Sequence, residues 1–306
     1  MITPTAITDA AARIAPHIRQ TPILWAEGFG PTPVALKLEQ TQHTGSFKVR
    51  GAFNALLSAP SPVIGVVAFS GGNHGAAVAY AATKLGVRSK IFVPAYAGDV
   101  KIGRMRGFGA EVVLGGDDPF EVLEQFTAYA TQTGARPLHP YDDALVLTGQ
   151  GTLAREFAAQ TGGLDTVIVS IGGGGLIGGI SAWFGSSVKV VGVETTGTTT
   201  YATALRDGVD ARIKASGLAA SSLGAPNIGR LAFDLLARGN TVSVTVDDAA
   251  VRAAQRQLWA DCRIVGEPGA ATALAALTSG AYVPQKDERV GVVICGGNAE
   301  PGWFLD

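Results

Sequence analysis

The stretch Thr166-Val167-Ile168-Val169-Ser170-Ile171-Gly172-Gly173-Gly174-Gly175-Leu176-Ile177-Gly178 decides how this chain is read. A β-branched apolar run gives way to four consecutive glycines, and an apolar run then resumes as far as Phe184. No charged residue occurs from Thr166 to Val188, a length close to the ~20 apolar residues that cross a bilayer. Seven of these 23 residues are glycine, however, and the run of four would break a spanning helix at its middle. The segment therefore predicts a strand over Thr166–Ile171, a loop, and a helix over Leu176–Phe184. Successive glycine amides at a helix start form a cradle for an anion. From this loop alone two ligands stay open. Gly173 to Gly178 satisfies the G-x-G-x-x-G pattern of dinucleotide sites, with Glu194 placed near a ribose-binding acid, while the same amides suit a phosphorylated cofactor.

Outward from this unit the same alternation repeats. Strands are predicted at Val63–Ser70, Lys90–Pro94, Val112–Leu114, Lys189–Glu194, Thr241–Val246 and Val290–Cys295. Helices are predicted at His74–Leu85, Asp99–Phe108, Pro119–Thr133, Gly151–Gln160, Thr199–Arg206 and Ala270–Leu277, with one more running from an Asp247 cap through Trp259. The pattern is that of α/β architecture: two doubly wound lobes with mostly parallel sheets, joined near His139–Asp143, and a ligand in the cleft between them. Residues 1–40 and 141–306 form the expected larger domain and residues 41–140 the smaller.

Composition removes several classes of function. The chain has 306 residues with 24 basic and 25 acidic side chains, a net charge of −1, so no polyanion-binding footprint is present and no nucleic-acid partner is expected. Two cysteines, Cys262 and Cys295, make no disulfide framework, and Met1–Pro16 does not read as a secretory leader, which points to the cytoplasm and away from a membrane. The four histidines lack metal-ligand spacing and no G-x-S-x-G elbow occurs.

Three further segments carry chemistry. In Thr44-Gly45-Ser46-Phe47-Lys48-Val49-Arg50-Gly51-Ala52, Ser46 is the expected N-cap of a helix through Leu57, which puts Lys48 in the first turn. A cation is disfavoured there by the helix dipole, and with desolvation its amine becomes a nucleophile. Ser70-Gly71-Gly72-Asn73-His74-Gly75 follows a strand and opens a helix, a second anion site. Cys295-Gly296-Gly297-Asn298 ends the last strand with a weakly acidic thiol.

Taken in order, Lys37-Leu38-Glu39, Thr44 to Ala52, Ser70 to His74, Gly172 to Leu176, Gly192-Val193-Glu194, Glu267-Pro268-Gly269-Ala270 and Cys295 to Asn298 resemble the serine/threonine dehydratases. These are pyridoxal-phosphate enzymes of fold-type II, the tryptophan synthase β-like group, and the resemblance runs from Thr21-Pro22 to the final strand.

The resemblance implies that Lys48 forms a Schiff base with pyridoxal 5'-phosphate, with Phe47 beside the ring. Gly172, Gly173, Gly174, Gly175 and Leu176 would hold the phosphate, Asn73 would bond the ring hydroxyl, and Cys295 would face the pyridine nitrogen. Ser70, Gly71, Gly72 and His74 would take the substrate carboxylate, and Ser222 would touch the substrate. A thiol at the ring nitrogen makes a weaker electron sink, which suits elimination. Lys48 would be tether and general base in a β-elimination that turns a 3-hydroxy amino acid such as L-threonine or L-serine into a 2-oxo acid and ammonia. Racemases of the family carry a serine where Gly71 stands, which favours the lyase. Glu194, Thr198 and Thr200 fall where the family holds a cation. Members using a divalent ion have aspartate in place of Thr200, so a monovalent ion such as K+ is expected. The resemblance further implies a homodimer without an appended regulatory domain. A nicotinamide-dependent dehydrogenase is the alternative, resting on Gly173–Gly178 and Glu194 alone.

Overall fold

The computed structural model describes residues 1–299. The first third of the chain runs α1 (Pro4–Ile14), β1 (Ile23–Ala26), β2 (Val34–Leu38), α2 (Lys48–Leu57), β3 (Val66–Phe69), α3 (Asn73–Lys84), β4 (Ser89–Val93) and α4 (Asp99–Gly107). The middle contains β5 (Glu111–Leu114), α5 (Pro119–Thr133), β6 (Arg136–Pro137), α6 (Ala144–Thr161), β7 (Thr166–Ser170), α7 (Gly175–Phe184), β8 (Lys189–Thr195) and α8 (Thr200–Asp207). The last third adds α9 (Ala220–Leu223), α10 (Arg230–Arg238), β9 (Thr241–Val246), α11 (Asp248–Cys262), α12 (Pro268–Thr278) and β10 (Val290–Ile294).

Two sheets organise these elements. One has six strands in the order β1-β2-β10-β7-β8-β9, parallel except for β1 at its edge, and the other has four parallel strands in the order β5-β4-β3-β6. All five residues of β7 and of β10 are buried, as expected for central strands covered by helices on both faces. Separate apolar cores lie against the two sheets, so the architecture is the two-lobed, mostly parallel α/β fold.

The sequence reading missed α1, β1, β2, β6, α9 and α10, and it began α6 seven residues late. Asp143 caps α6, its carboxylate accepting from the amides of Leu145 and Val146. Gly149 and Gly151 within this helix are packing residues. A Cβ at Gly149 would lie 2.6 Å from the Arg50 carbonyl oxygen, and one at Gly151 would lie 2.6 Å from Ile7. These glycines let α2, α6 and α7 approach closely enough to form one layer.

The expected Ser46 cap is not found. Phe47 stands at the N-cap of α2 and the Ser46 hydroxyl is buried without a partner. The cause is a competing pairing: Ser46 is extended and bridges Gly296, Phe47 N donates to Cys295 O at 3.1 Å, and Gly297 N donates to Gly45 O at 2.9 Å. The chain before Lys48 is thus sewn to the end of β10.

A buried ion network anchors α2 from below. Arg50 donates to both oxygens of Glu39, at 2.9 and 2.7 Å, and to Glu156 at 3.0 Å, while Lys37 donates to Glu156, Gln160 and the Thr21 carbonyl. Arg50, Glu39 and Lys37 are fully buried, so paired charges two residues from Lys48 fix the helix that carries it.

Candidate active site

Lys48 occupies the first position of α2, and its Nζ donates to the carbonyl of Pro140 at 2.8 Å. The residue is partly open to the cleft, yet burial lowers its pKa to about 8 against the opposing pull of Cys295 and Glu267. An amine with this pKa is substantially neutral near pH 8, as a nucleophile and a proton acceptor require. The Phe47 ring lies 5.1 Å from Nζ.

Contacts around Lys48 close into a ring. Tyr141, next to Pro140, covers the glycine loop: a Cβ at Gly173 would lie 2.2 Å from its ring, and one at Gly175 would lie 3.0 Å from its Cα. Gly172 abuts the backbone of Leu223, and Ser222 Oγ accepts from Gly269 N at 3.0 Å at the start of α12. Glu267, the N-cap of α12, accepts from Asn73 Nδ2 at 2.7 Å, and the carbonyl of Cys295 holds the Phe47 amide. Lys48, Phe47, Asn73, the Gly172–Leu176 loop and Cys295 are therefore joined by one series of contacts.

The electrostatics of this group favour an anion with a neutral ring. The amides of Gly172, Gly173, Gly174, Gly175 and Leu176 make no backbone hydrogen bond among the described residues, leaving consecutive donors at the N-terminus of α7. Gly174 has φ +87° and Ile228 and Ala232 press on it, so only glycine suits this turn. Burial pushes the Cys295 thiol pKa up, keeping it uncharged, and raises that of Glu267 to about 7. In the second loop, the amides of Gly71, Asn73, His74 and Gly75 are likewise without backbone acceptors among the described residues. Ser70 Oγ accepts from Gly72 N at 3.2 Å.

Other anticipated residues are engaged with the scaffold. His74 Nε2 lies 3.0 Å from the Leu138 carbonyl, and burial holds the ring pKa near 3, so the imidazole is neutral. Ser222 Oγ binds the start of α12. Glu194 accepts from the amides of Tyr201 and Ala202 and from Thr200 Oγ1, whose oxygen also lies 2.6 Å from the Gly172 carbonyl; Thr198 Oγ1 pairs with Thr195. The Glu194 carboxylate thus caps α8, which leaves a ribose hydroxyl without the acid that the dinucleotide reading needs. No cluster of three metal-ligating acids, cysteines or histidines occurs among the described residues.

Sequence reasoning gave no role to Pro140, Tyr141, Glu267, Asn298 or Arg104. Glu267 stood within a quoted motif, and an acid directly before Pro268-Gly269 at a helix start was the available signal. Tyr141 lay in the joint between the two α/β series, with nothing local to mark it.

Parallel sheets, a lysine at a helix start and two amide cradles define a pyridoxal-phosphate enzyme of fold-type II. A family model described as pyridoxal-phosphate dependent enzyme matches residues 14–296, and the chain belongs to that family. It is 35% identical over 310 residues to phenylserine dehydratase of Ralstonia pickettii, covering 98% of this chain and 94% of that one. It is 36% identical over 272 residues to L-threonine ammonia-lyase of Thermotoga maritima, covering 87% and 67% of the two chains. Among solved structures, maize serine racemase matches with a TM-score of 0.92 at 28% identity, over 99% of this chain and 95% of that chain. The residues present fit that cofactor: unpartnered amides suit a phosphate, a neutral thiol suits a ring nitrogen, and a lysine amine suits an aldehyde. No helix among the described residues is long and apolar enough to cross a membrane.

Proposed function

We propose that this chain eliminates water from a 3-hydroxy amino acid of the serine, threonine or phenylserine kind, and that the enamine released becomes an imine which takes up water to give a 2-oxo acid and ammonia. The observation that carries the reading is the Lys48 amine, held on Pro140 beside both amide cradles with a pKa near 8. Bound pyridoxal phosphate supplies the electron sink for the bond broken at the α-carbon. Lys48 tethers the cofactor and, once free, takes the α-proton. The Gly172–Leu176 amides hold the phosphate, and the Ser70–His74 loop holds the substrate carboxylate. Asn73 spends one amide hydrogen on Glu267 and keeps the other for the ring hydroxyl. Cys295 stays a thiol and puts no fixed negative charge at the ring nitrogen.

Racemisation is the second reading, favoured by the likeness to maize serine racemase. It needs a second base on the face away from Lys48, and Gly71 offers none. The proposal takes residues 41–140 as the smaller domain and 1–40 with 141–306 as the larger, since the strands of the two sheets fall on either side of these limits. It also takes the protein to be a cytoplasmic homodimer, supported by the two unpaired cysteines and by exposed Leu24 and Trp25 on edge strand β1. A monovalent cation such as K+ beside Glu194, Thr198 and Thr200 completes it, sharing the Glu194 carboxylate with the α8 amides; activity equal in potassium and lithium at matched ionic strength would remove the cation.

Borohydride reduction of the holoprotein followed by peptide mapping tests the assignment. A pyridoxyl label on Lys48 supports it, and a label on another lysine, or none, refutes it.

A further inference from the structure

A line of polar contacts runs from Asn73 to helix α4. Asn73 Nδ2 donates to Glu267 Oε1 at 2.7 Å, Asn73 Oδ1 accepts from Asn298 Nδ2 at 2.6 Å, and Asn298 Oδ1 accepts from Arg104 Nη1. Arg104 Nη2 and Asn298 Nδ2 both donate to the carbonyl of Thr44, at 3.0 and 2.9 Å. Thr44 has φ 60°, a left-handed conformation unusual for a β-branched residue, and stands four residues before Lys48. Glycines on both flanks leave room for the line: a Cβ at Gly45 would lie 2.5 Å from Asn298 Oδ1, and one at Gly296 would lie 2.2 Å from Glu267 Oε1.

The line has a direction. A guanidinium only donates, so Asn298 must turn its oxygen to Arg104 and its nitrogen to Asn73. Asn73 must then present its oxygen to Asn298 and its nitrogen to Glu267. Reversal of Asn298 would set oxygen against oxygen and reverse Asn73 as well, removing the donor from Glu267. Arg104 comes from α4, beside the four-stranded sheet, whereas Glu267 and Asn298 flank α12 and β10 of the other lobe.

We propose that Arg104 is a positioning residue that fixes the amide of Asn73 through Asn298, so that the seating of α4 sets how tightly pyridoxal phosphate is held. This rests on the pyridoxal-phosphate reading of the site.

A double-mutant cycle on the apoprotein tests it, with cofactor binding followed by fluorescence titration and folding by thermal melting. Arg104→Met and Glu267→Leu each weaken binding roughly five- to tenfold, and the double variant binds no more weakly than the worse single one, because either change unhooks the same line. Arg104→Lys recovers most of the loss, and Arg106→Met, which removes a charge from the same helix, leaves affinity unchanged. Should Arg104→Met fail to fold, Arg104→Ala with Glu267→Leu runs the same cycle. Losses that multiply, or wild-type affinity in Arg104→Met, overturn the proposal. Failure of the unmodified apoprotein to bind pyridoxal phosphate at all overturns the site reading instead, and the line with it.

Discussion

The Nζ of Lys48 and the carbonyl oxygen of Pro140 are 2.8 Å apart, and this hydrogen bond ties the reactive amine to the segment joining the two α/β series. Pro140 is followed by Tyr141, whose ring lies on Gly173, so the amine and the glycine loop share one support.

That support makes Gly173 sensitive to a single methyl group. Its φ lies outside the left-handed region, but a new Cβ there would meet the body of the Tyr141 ring at 2.2 Å. Gly173→Ala is expected to weaken pyridoxal-phosphate binding by about tenfold or more, on the order of 1.4 kcal/mol. Gly173→Ala with Tyr141→Ala is expected to bind like Tyr141→Ala alone. A double variant as weak as Gly173→Ala in a fluorescence titration would show that the loop fails for another reason.

The two perturbed groups beside the amine act on stability in opposite senses. Glu267 has a folded pKa of about 7 against an ordinary 4.5, so the folded protein binds the extra proton and stability falls as pH rises from 4.5 through 7. Lys48 has a folded pKa of about 8 against 10.5, so the unfolded chain binds the extra proton and stability rises from pH 8 to 10.5. Each contributes on the order of 3 kcal/mol, less for Lys48 because it is partly open to the cleft. In urea denaturation of the apoprotein, Glu267→Gln should gain stability on wild type between pH 5 and 7. Lys48→Met should lose its advantage over wild type between pH 8 and 10. Variant-minus-wild-type differences that do not change with pH would contradict both assignments.

Arg50→Met should cost about 3–5 kcal/mol in the same assay, since it leaves Glu39 buried without its bidentate partner. A loss under about 1 kcal/mol would mean that the network below α2 carries little of the fold.

Gly71 is open to a sharper test than serine alone. A Cβ there would lie 2.9 Å from the Cβ of Ala97, so Gly71→Ser needs Ala97→Gly to be seated without displacement. The paired variant should raise the ratio of D-amino acid to 2-oxo acid, and a ratio equal to wild type would show that position 71 does not reach the α-carbon.

Local sequence singled out Lys48 and both glycine loops, because strand, glycine loop and helix follow one another within a dozen residues and their amides point where the helix begins. It carried little of what surrounds them. Asn73 and Glu267 are 194 residues apart, and Asn73 and Asn298 are 225 apart, so no periodicity or motif spacing links them. Ser46 shows the converse. Its local signal was an N-cap, and pairing with Gly296, distant in the chain, overrode it. Gly149 and Gly151 of α6 carry no local signal of their role, because packing against Arg50 and Ile7 supplies their reason, and neither partner is a neighbour in sequence.

The reaction itself is tested most directly by incubating the holoprotein with L-serine, L-threonine and L-phenylserine and resolving the products by chiral chromatography beside ammonia and 2-oxo-acid assays. The account predicts equal amounts of ammonia and 2-oxo acid from at least one of them, little D-amino acid, and no turnover in Lys48→Ala. Abundant D-amino acid without ammonia, or wild-type turnover in Lys48→Ala, would contradict it.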